Sequence, residues 1–231
     1  MIFRVFSKNG NDLFFTNLEG EKMSKILFSV VILIQSMINI NYTNGENLTL
    51  NELSSLFFES EQWVSEIEND IEYSYQINCI DEKKIIVNLL KEIPDKMRNG
   101  IDQIILQTKD NYNVAGVTND GIIELFDFSK YSKLTQKNIL YHEVAHTWGR
   151  YLMNNKVLDY HYTEYQEYVR LDNNYISNYS KEYIIEKNNY SEDIADSVAQ
   201  YLINKEKFIL KYPNRAKYIL QLLDTTGVDL E

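Results

Sequence analysis

His142-Glu143-Val144-Ala145-His146 is a complete HExxH motif in a chain that carries only three histidines. On a helix, residues four apart stand one above the other, so both imidazoles project from one face toward a point where a zinc ion can sit. Glu143 then falls beside the metal's open position, where a carboxylate can take a proton from water. So few histidines would form this pattern by accident on the order of once in several hundred chains of this length. The flanking residues predict the helix that the motif needs. Thr135 is the expected N-cap, and Ile139, Leu140, Val144, Ala145, Trp148 and Leu152 make an i, i+3, i+4 apolar stripe.

A zinc site needs a third protein ligand, and its identity separates the zinc peptidase classes. The run continues to Gly149 of the longer HExxHxxGxxH pattern, but Leu152 stands where that pattern has its third histidine, which excludes the class. His161, the remaining histidine, lies in a Tyr-rich stretch without a helical partner and reads as an exposed loop or helix-edge residue. Ser191 to Leu202 is the more informative segment. Ser191 is a good N-cap, and Ile194, Val198 and Leu202 share one helical face. Glu192 and Asp196 sit at i and i+4, where two like charges on a solvated helix cost roughly 0.2–0.5 kcal/mol unless a cation removes the repulsion. One acid can ligate zinc while the other accepts the free ring N–H of a ligating histidine. The plain alternative is an acidic first turn suited to the helix dipole, which explains Glu192 and Asp193 without a metal. With HExxH upstream, ligation is the expectation.

These residues resemble a known family. HEVAH followed by Glu192-Asp193-Ile194-Ala195-Asp196-Ser197 is similar to the zinc metallopeptidases formed by the catalytic domain of anthrax lethal factor and the secreted Pro-Pro endopeptidases. In that family an E-x-x-A helix supplies the third ligand. The likeness runs through Gln200 to Asn204 and the segment Tyr212-Pro213-Asn214-Arg215, which resembles the family's Pro-started last helix; it covers roughly residues 85–223. The resemblance implies a zincin-like endopeptidase with His142, His146 and Glu192 as zinc ligands, Glu143 as general base and Asp196 behind a ligand. The family also places a tyrosine before the third ligand, where its hydroxyl can steady an oxyanion. Ser177-Asn178-Tyr179 looks like that element, although Tyr179 stands further from Glu192 than the family's spacing. Tyr179 is therefore the expected tyrosine, with Tyr183 and Tyr190 as nearer rivals in an insertion-like stretch.

Composition bounds the rest. At 231 residues and 44% hydrophobic, with two prolines and eight glycines, residues 41–231 read as one domain without a flexible linker. The net charge of −11 argues against nucleic acid or an anionic membrane as partner and favours a neutral or cationic peptide or protein substrate bound in extended form. Cys79 is the single cysteine, so no internal disulfide forms, and it reads as a small buried apolar residue.

Periodicity predicts a helix over Leu50–Tyr75 and another over Asp81–Ile93, then strands at Ile101–Gln107 and Gly121–Phe128 ahead of the two motif-bearing helices. This is an α+β arrangement: a small sheet packed by helices, one of them bearing HExxH. The strand from Gly121 could be the edge along which a peptide pairs, or an ordinary internal strand. Residues 1–40 read two ways. Lys22 to Lys25 followed by the apolar run Ile26–Ile34 has the layout of a signal peptide over 23–40 behind a misassigned start, which implies export; the run is too short for a stable membrane span. Phe3–Phe6 and Leu13–Phe15 around Asn9-Gly10 could instead form a folded hairpin. The expected function is a secreted zinc endopeptidase. Its alternatives are a non-catalytic toxin delivery or interaction module on the same scaffold, and a cytoplasmic regulatory zinc peptidase.

Overall fold

A computed structural model describes residues 2–6, 12–16, 63–108, 114–159 and 161–226. Its centre is a five-stranded mixed sheet with strand order β3-β4-β5-β7-β6. These are β3 (Trp63–Glu68), β4 (Ile71–Gln76), β5 (Gln103–Gln107), β6 (Gly116–Asn119) and β7 (Ile122–Phe126). A separate antiparallel pair, β1 (Ile2–Phe6) and β2 (Asp12–Thr16), matches Ile2 with Thr16 and Phe6 with Asp12, the hairpin that the sequence allowed. Residues 17–62, with the basic and apolar run at 22–34, lie outside the described residues. Among the described residues no helix is long and apolar enough to cross a membrane.

The predicted helix over Leu50–Tyr75 is overturned where residues are described: 63–76 is a tight antiparallel hairpin. Its two-residue loop, Asn69-Asp70, has both residues left-handed (φ 52° and 64°), a type I′ turn whose twist matches the strands it joins. The apolar positions Trp63, Val64, Ile67 and Ile71 mimic helical spacing across this turn. Burial follows a period of two instead: Ile71, Tyr73 and Tyr75 point into the core while Glu72 is exposed and Ile67 is 75% exposed.

In β4, β5 and β7 the ladder sets Tyr73, Ile104 and Ile123 in one row and Tyr75, Leu106 and Leu125 in the next, all buried on the same face. Because β5 and β6 flank β7, the strand from Gly121 is an internal strand and not an edge, and β6 ends the sheet on that side among the described residues. A four-residue strand with a single bulky apolar residue, Val117, gave no periodic signal in the sequence.

Helix α1 (Ile80–Leu90) follows the hairpin, close to expectation, and buries Ile86, Val87, Leu89 and Leu90. Cys79, just before it, is buried as expected; burial and then the neighbouring Glu82 carboxylate push its thiol up to about 12, so it stays protonated. Helix α2 (Lys133–Asn154) carries HExxH and buries Leu140, Val144, Ala145, Trp148 and Leu152 as the stripe predicts. Each of the larger side chains contributes roughly 1.5–3 kcal/mol. Its cap is Ser132 and not Thr135: Ser132 Oγ accepts from the Thr135 N–H, which makes Thr135 the third helical residue. The remaining helices are α3 (Thr163–Asp172), α4 (Asn178–Lys187), α5 (Ser191–Ile203), α6 (Lys205–Lys211) and α7 (Pro213–Thr225). Helix α5 packs along α2 and meets α4, α6 and α7. Ser191 opens α5 without capping it; its own N–H donates to Asn189 Oδ1 at 2.8 Å.

Candidate metal centre

The i, i+4 spacing inside α2 brings the rings of His142 and His146 to a centroid distance of 4.7 Å, nearly perpendicular, with their Nε2 atoms 3.0 Å apart. Helix α5 delivers Glu192 from its first turn. Glu192 Oε2 lies 3.2 Å from His142 Nε2 and 3.4 Å from His146 Nε2. Among the described residues these three form the one group of histidine, cysteine or carboxylate side chains whose donor atoms converge this closely.

The donors fit zinc. A tetrahedral ion with bonds of about 2.0–2.1 Å separates its ligand atoms by about 3.3 Å, and the three edges here are 3.0, 3.2 and 3.4 Å. Two imidazole nitrogens facing one another at 3.0 Å repel through their lone pairs unless a proton or a cation lies between them. Burial alone would pull His142 down, but hydrogen bonds to Asp196 and Glu192 outweigh it and hold the ring up to about 10. Burial would likewise raise Glu192, while the bonds to His142 and His146 lower it to about 2.

Asp196 stands one turn beyond Glu192 on α5, and its Oδ1 lies 2.8 Å from His142 Nδ1. The bond assigns a proton to Nδ1 and turns Nε2 toward Glu192 and His146. The chain of contacts continues: Ser177 Oγ donates to Asp196 Oδ2 at 2.6 Å, and the same Ser177 caps α4 by accepting from the Ser180 N–H. Helix α4 is thus pinned to the His142–Asp196 pair through its own cap. No local pattern marks Ser177 for this role, because the contact spans nineteen positions.

Glu143, only 7% exposed, lies against the edge strand, where Thr118 Oγ1 donates to Glu143 Oε2 at 2.7 Å. Tyr179, in the first turn of α4, is 53% exposed. Its phenol is pushed up to about 12 by partial burial, then by the charge of Glu192, with Tyr183 and Glu143 adding to it. The hydroxyl therefore sits within the field of both Glu192 and Glu143. Tyr183 packs on Tyr179 with ring centroids 5.4 Å apart, whereas the Tyr190 phenol is raised by burial and by Tyr175 and Asp193. His161 is exposed, with its backbone N–H on Asp159 Oδ1, and takes no part in the cluster.

Asp193 is not the dipole-facing acid that its position suggests. It is fully buried and forms a two-pronged ion pair with Arg215 of α7, Nε to Oδ1 at 2.8 Å and Nη2 to Oδ2 at 3.1 Å. Tyr165 OH also donates to Oδ1 at 2.7 Å, and Asp172 takes the third guanidinium nitrogen at 3.3 Å. This lock joins α3, α5 and α7 behind the ligand helix. A cavity of about 420 Å³ between α3 and α4, lined by Gln166, Arg170, Tyr175, Ile184 and Tyr190, contains none of the converging residues. No protein-family model, curated protein or solved structure matches the chain.

Proposed function

We propose that the chain is a zinc-dependent endopeptidase of zincin type. The observation that carries this reading is the convergence of His142 Nε2, His146 Nε2 and Glu192 Oε2 at tetrahedral edge lengths, with Glu143 alongside and not among them. The resemblance to the lethal factor and Pro-Pro endopeptidase family, drawn from HEVAH and the Glu192-to-Ser197 segment, supports the same ligand set.

When bound, zinc polarises the scissile carbonyl and makes water acidic enough to attack near neutral pH. Glu143 takes the proton from the attacking water and later passes it to the leaving amine, the work of a general base that becomes a general acid. Tyr179 donates its phenolic proton toward the carbonyl oxygen as that atom gains charge, and its high pKa keeps the proton available. Asp196 holds the His142 ring in the tautomer that leaves Nε2 free. An extended peptide can pair with the side of β6 that has no strand partner among the described residues, at the end of the sheet nearest Glu143, and the net charge of −11 favours neutral or basic flanking residues. The layout of residues 22–34 supports export as the place of action, while the β1–β2 hairpin ahead of it supports the cytoplasmic alternative.

The test is cleavage of a combinatorial peptide library by the purified protein, with zinc and with chelator. Internal cleavage that chelator abolishes and zinc restores is expected. An inert zinc-loaded protein overturns the peptidase reading and leaves an interaction module on this scaffold. Products trimmed only from chain ends, or a demand for acidic residues on both sides of the cut, overturn the account of the cleft.

A further inference from the structure

The base of the proposed reaction is held by a strand, and the residues of that strand carry the inference. The β6–β7 ladder sets Gly116 beside Leu125 and Thr118 beside Ile123. Leu125 and Ile123 point into the core, so Gly116 and Thr118 occupy the core face of the edge strand, at the positions where the neighbouring strands carry Leu106 and Ile104. Two bulky apolar side chains would complete the rows there. The chain has a glycine and a threonine instead, and the space is filled by Glu143 from α2.

Each residue meets one carboxylate oxygen. Thr118 Oγ1 donates to Glu143 Oε2 at 2.7 Å and also reaches the Glu143 backbone oxygen at 3.3 Å, so it ties the strand to both ends of the residue. A methyl placed on Gly116 would stand 2.9 Å from Glu143 Oε1, 3.0 Å from Glu143 Cγ and 3.1 Å from a Leu125 methyl. Gly116 has no left-handed backbone to require glycine, so the close approach of Glu143 is the constraint on that position. A carboxylate that is nine-tenths buried needs donors, and Thr118 is the side chain that supplies one.

We propose that Gly116 and Thr118 are positioning residues for Glu143: Thr118 holds Oε2 and Gly116 leaves room for Oε1, so that one oxygen stays free for a proton while the rotamer is fixed. The proposal rests on the peptidase reading, in which Glu143 is the base. The device also ties the base to the core face of the strand proposed to pair with substrate, so a peptide bound along β6 is registered against the residue that acts on it.

The test combines Thr118→Val, Thr118→Ser and Gly116→Ala with a stability cycle. In the zinc-loaded enzyme Thr118→Val is expected to lower kcat by about 10–100-fold, the usual cost of losing a group that orients an active residue, with KM within about twofold and zinc affinity unchanged. Thr118→Ser restores most of the loss, because it restores the hydroxyl; Gly116→Ala lowers kcat by a similar factor. In the metal-free protein the drop in Tm caused by Thr118→Val is expected to vanish in a Glu143→Ala background, since the two side chains are coupled and no carboxylate is then left unpaired. Equal drops in both backgrounds, or full kcat in Thr118→Val, overturn the proposal. A coupled cycle with a wild-type protein that cleaves nothing overturns the peptidase reading, and the positioning role with it, while leaving the contact itself intact.

Discussion

Replacing Arg215 by methionine tests whether the lock behind the ligand helix holds the domain together. The guanidinium is fully buried and gives three hydrogen bonds to carboxylates: two to Asp193, at 2.8 and 3.1 Å, and one to Asp172, at 3.3 Å. Methionine fills much of the same volume but leaves the Asp193 carboxylate buried without its cation. Breaking a buried pair by removing one partner costs about 3–5 kcal/mol. Asp193 keeps donors from Tyr165 OH at 2.7 Å and Ser180 Oγ at 3.3 Å, and Asp172 keeps the backbone N–H groups of Asn214 and Arg215. The lower end, about 3 kcal/mol, is therefore expected. For a chain of this size each kcal/mol moves Tm by about 2–4 °C, giving a fall of about 6–12 °C by calorimetry. Adding Asp193→Asn to Arg215→Met removes the stranded charge and should recover part of the loss. One zinc per chain should still bind well below Tm, because the ligand atoms are set by α2 against α5. A fall of less than about 2 °C, or a double variant that loses the sum of the two single losses, refutes the reasoning.

Glu143→Ala should retain one zinc per chain by metal analysis while peptidase activity drops by several orders of magnitude; loss of zinc along with activity would show Glu143 to be a ligand. Glu192→Ala should weaken zinc binding sharply and His161→Ala should leave it unchanged, with Asp196→Ala between them at a cost of about 10–100-fold; the reverse order for Glu192 and His161 would remake the site. Stability should also depend on pH in opposite senses with and without metal. His142 is raised from 6.5 to about 10 in the metal-free fold, so its contribution is complete below about pH 6.5 and is lost as pH rises toward 10; Glu192 is lowered from 4.5 to about 2, so its contribution is complete above about pH 4.5 and is lost as pH falls toward 2. The metal-free protein should be most stable between those values, near pH 5–6. Zinc needs the neutral imidazole, so the rise in Tm that it produces should grow from pH 5 to pH 8, and thermal scans showing a shrinking rise would count against the ligand set.

The parts of this protein legible in its sequence are those whose physics is local. An i, i+4 pair of histidines on an amphipathic helix needs only the helix to bring two rings to one point, and α2 needs only its own apolar stripe to pack. Helix α1 and strands β5 and β7 were legible for the same reason. Local spacing also misled: Trp63, Val64, Ile67 and Ile71 fit a helix, and only the paired left-handed residues Asn69 and Asp70 turn that stretch into a hairpin. What joins distant segments had to wait for the tertiary structure. Sheet order made the strand from Gly121 internal and β6 the edge, since hydrogen-bonding neighbours are chosen by the whole sheet and not by any one strand. Thr118 reaches Glu143 across 25 positions, Ser177 reaches Asp196 across 19 and Arg215 reaches Asp193 across 22, each through a hydrogen bond that exists only after helices and sheet have packed. A threonine, a serine and an arginine carry no periodic signal, so their roles were fixed by the geometry of burial, which leaves a polar group no choice but to find the partner beside it.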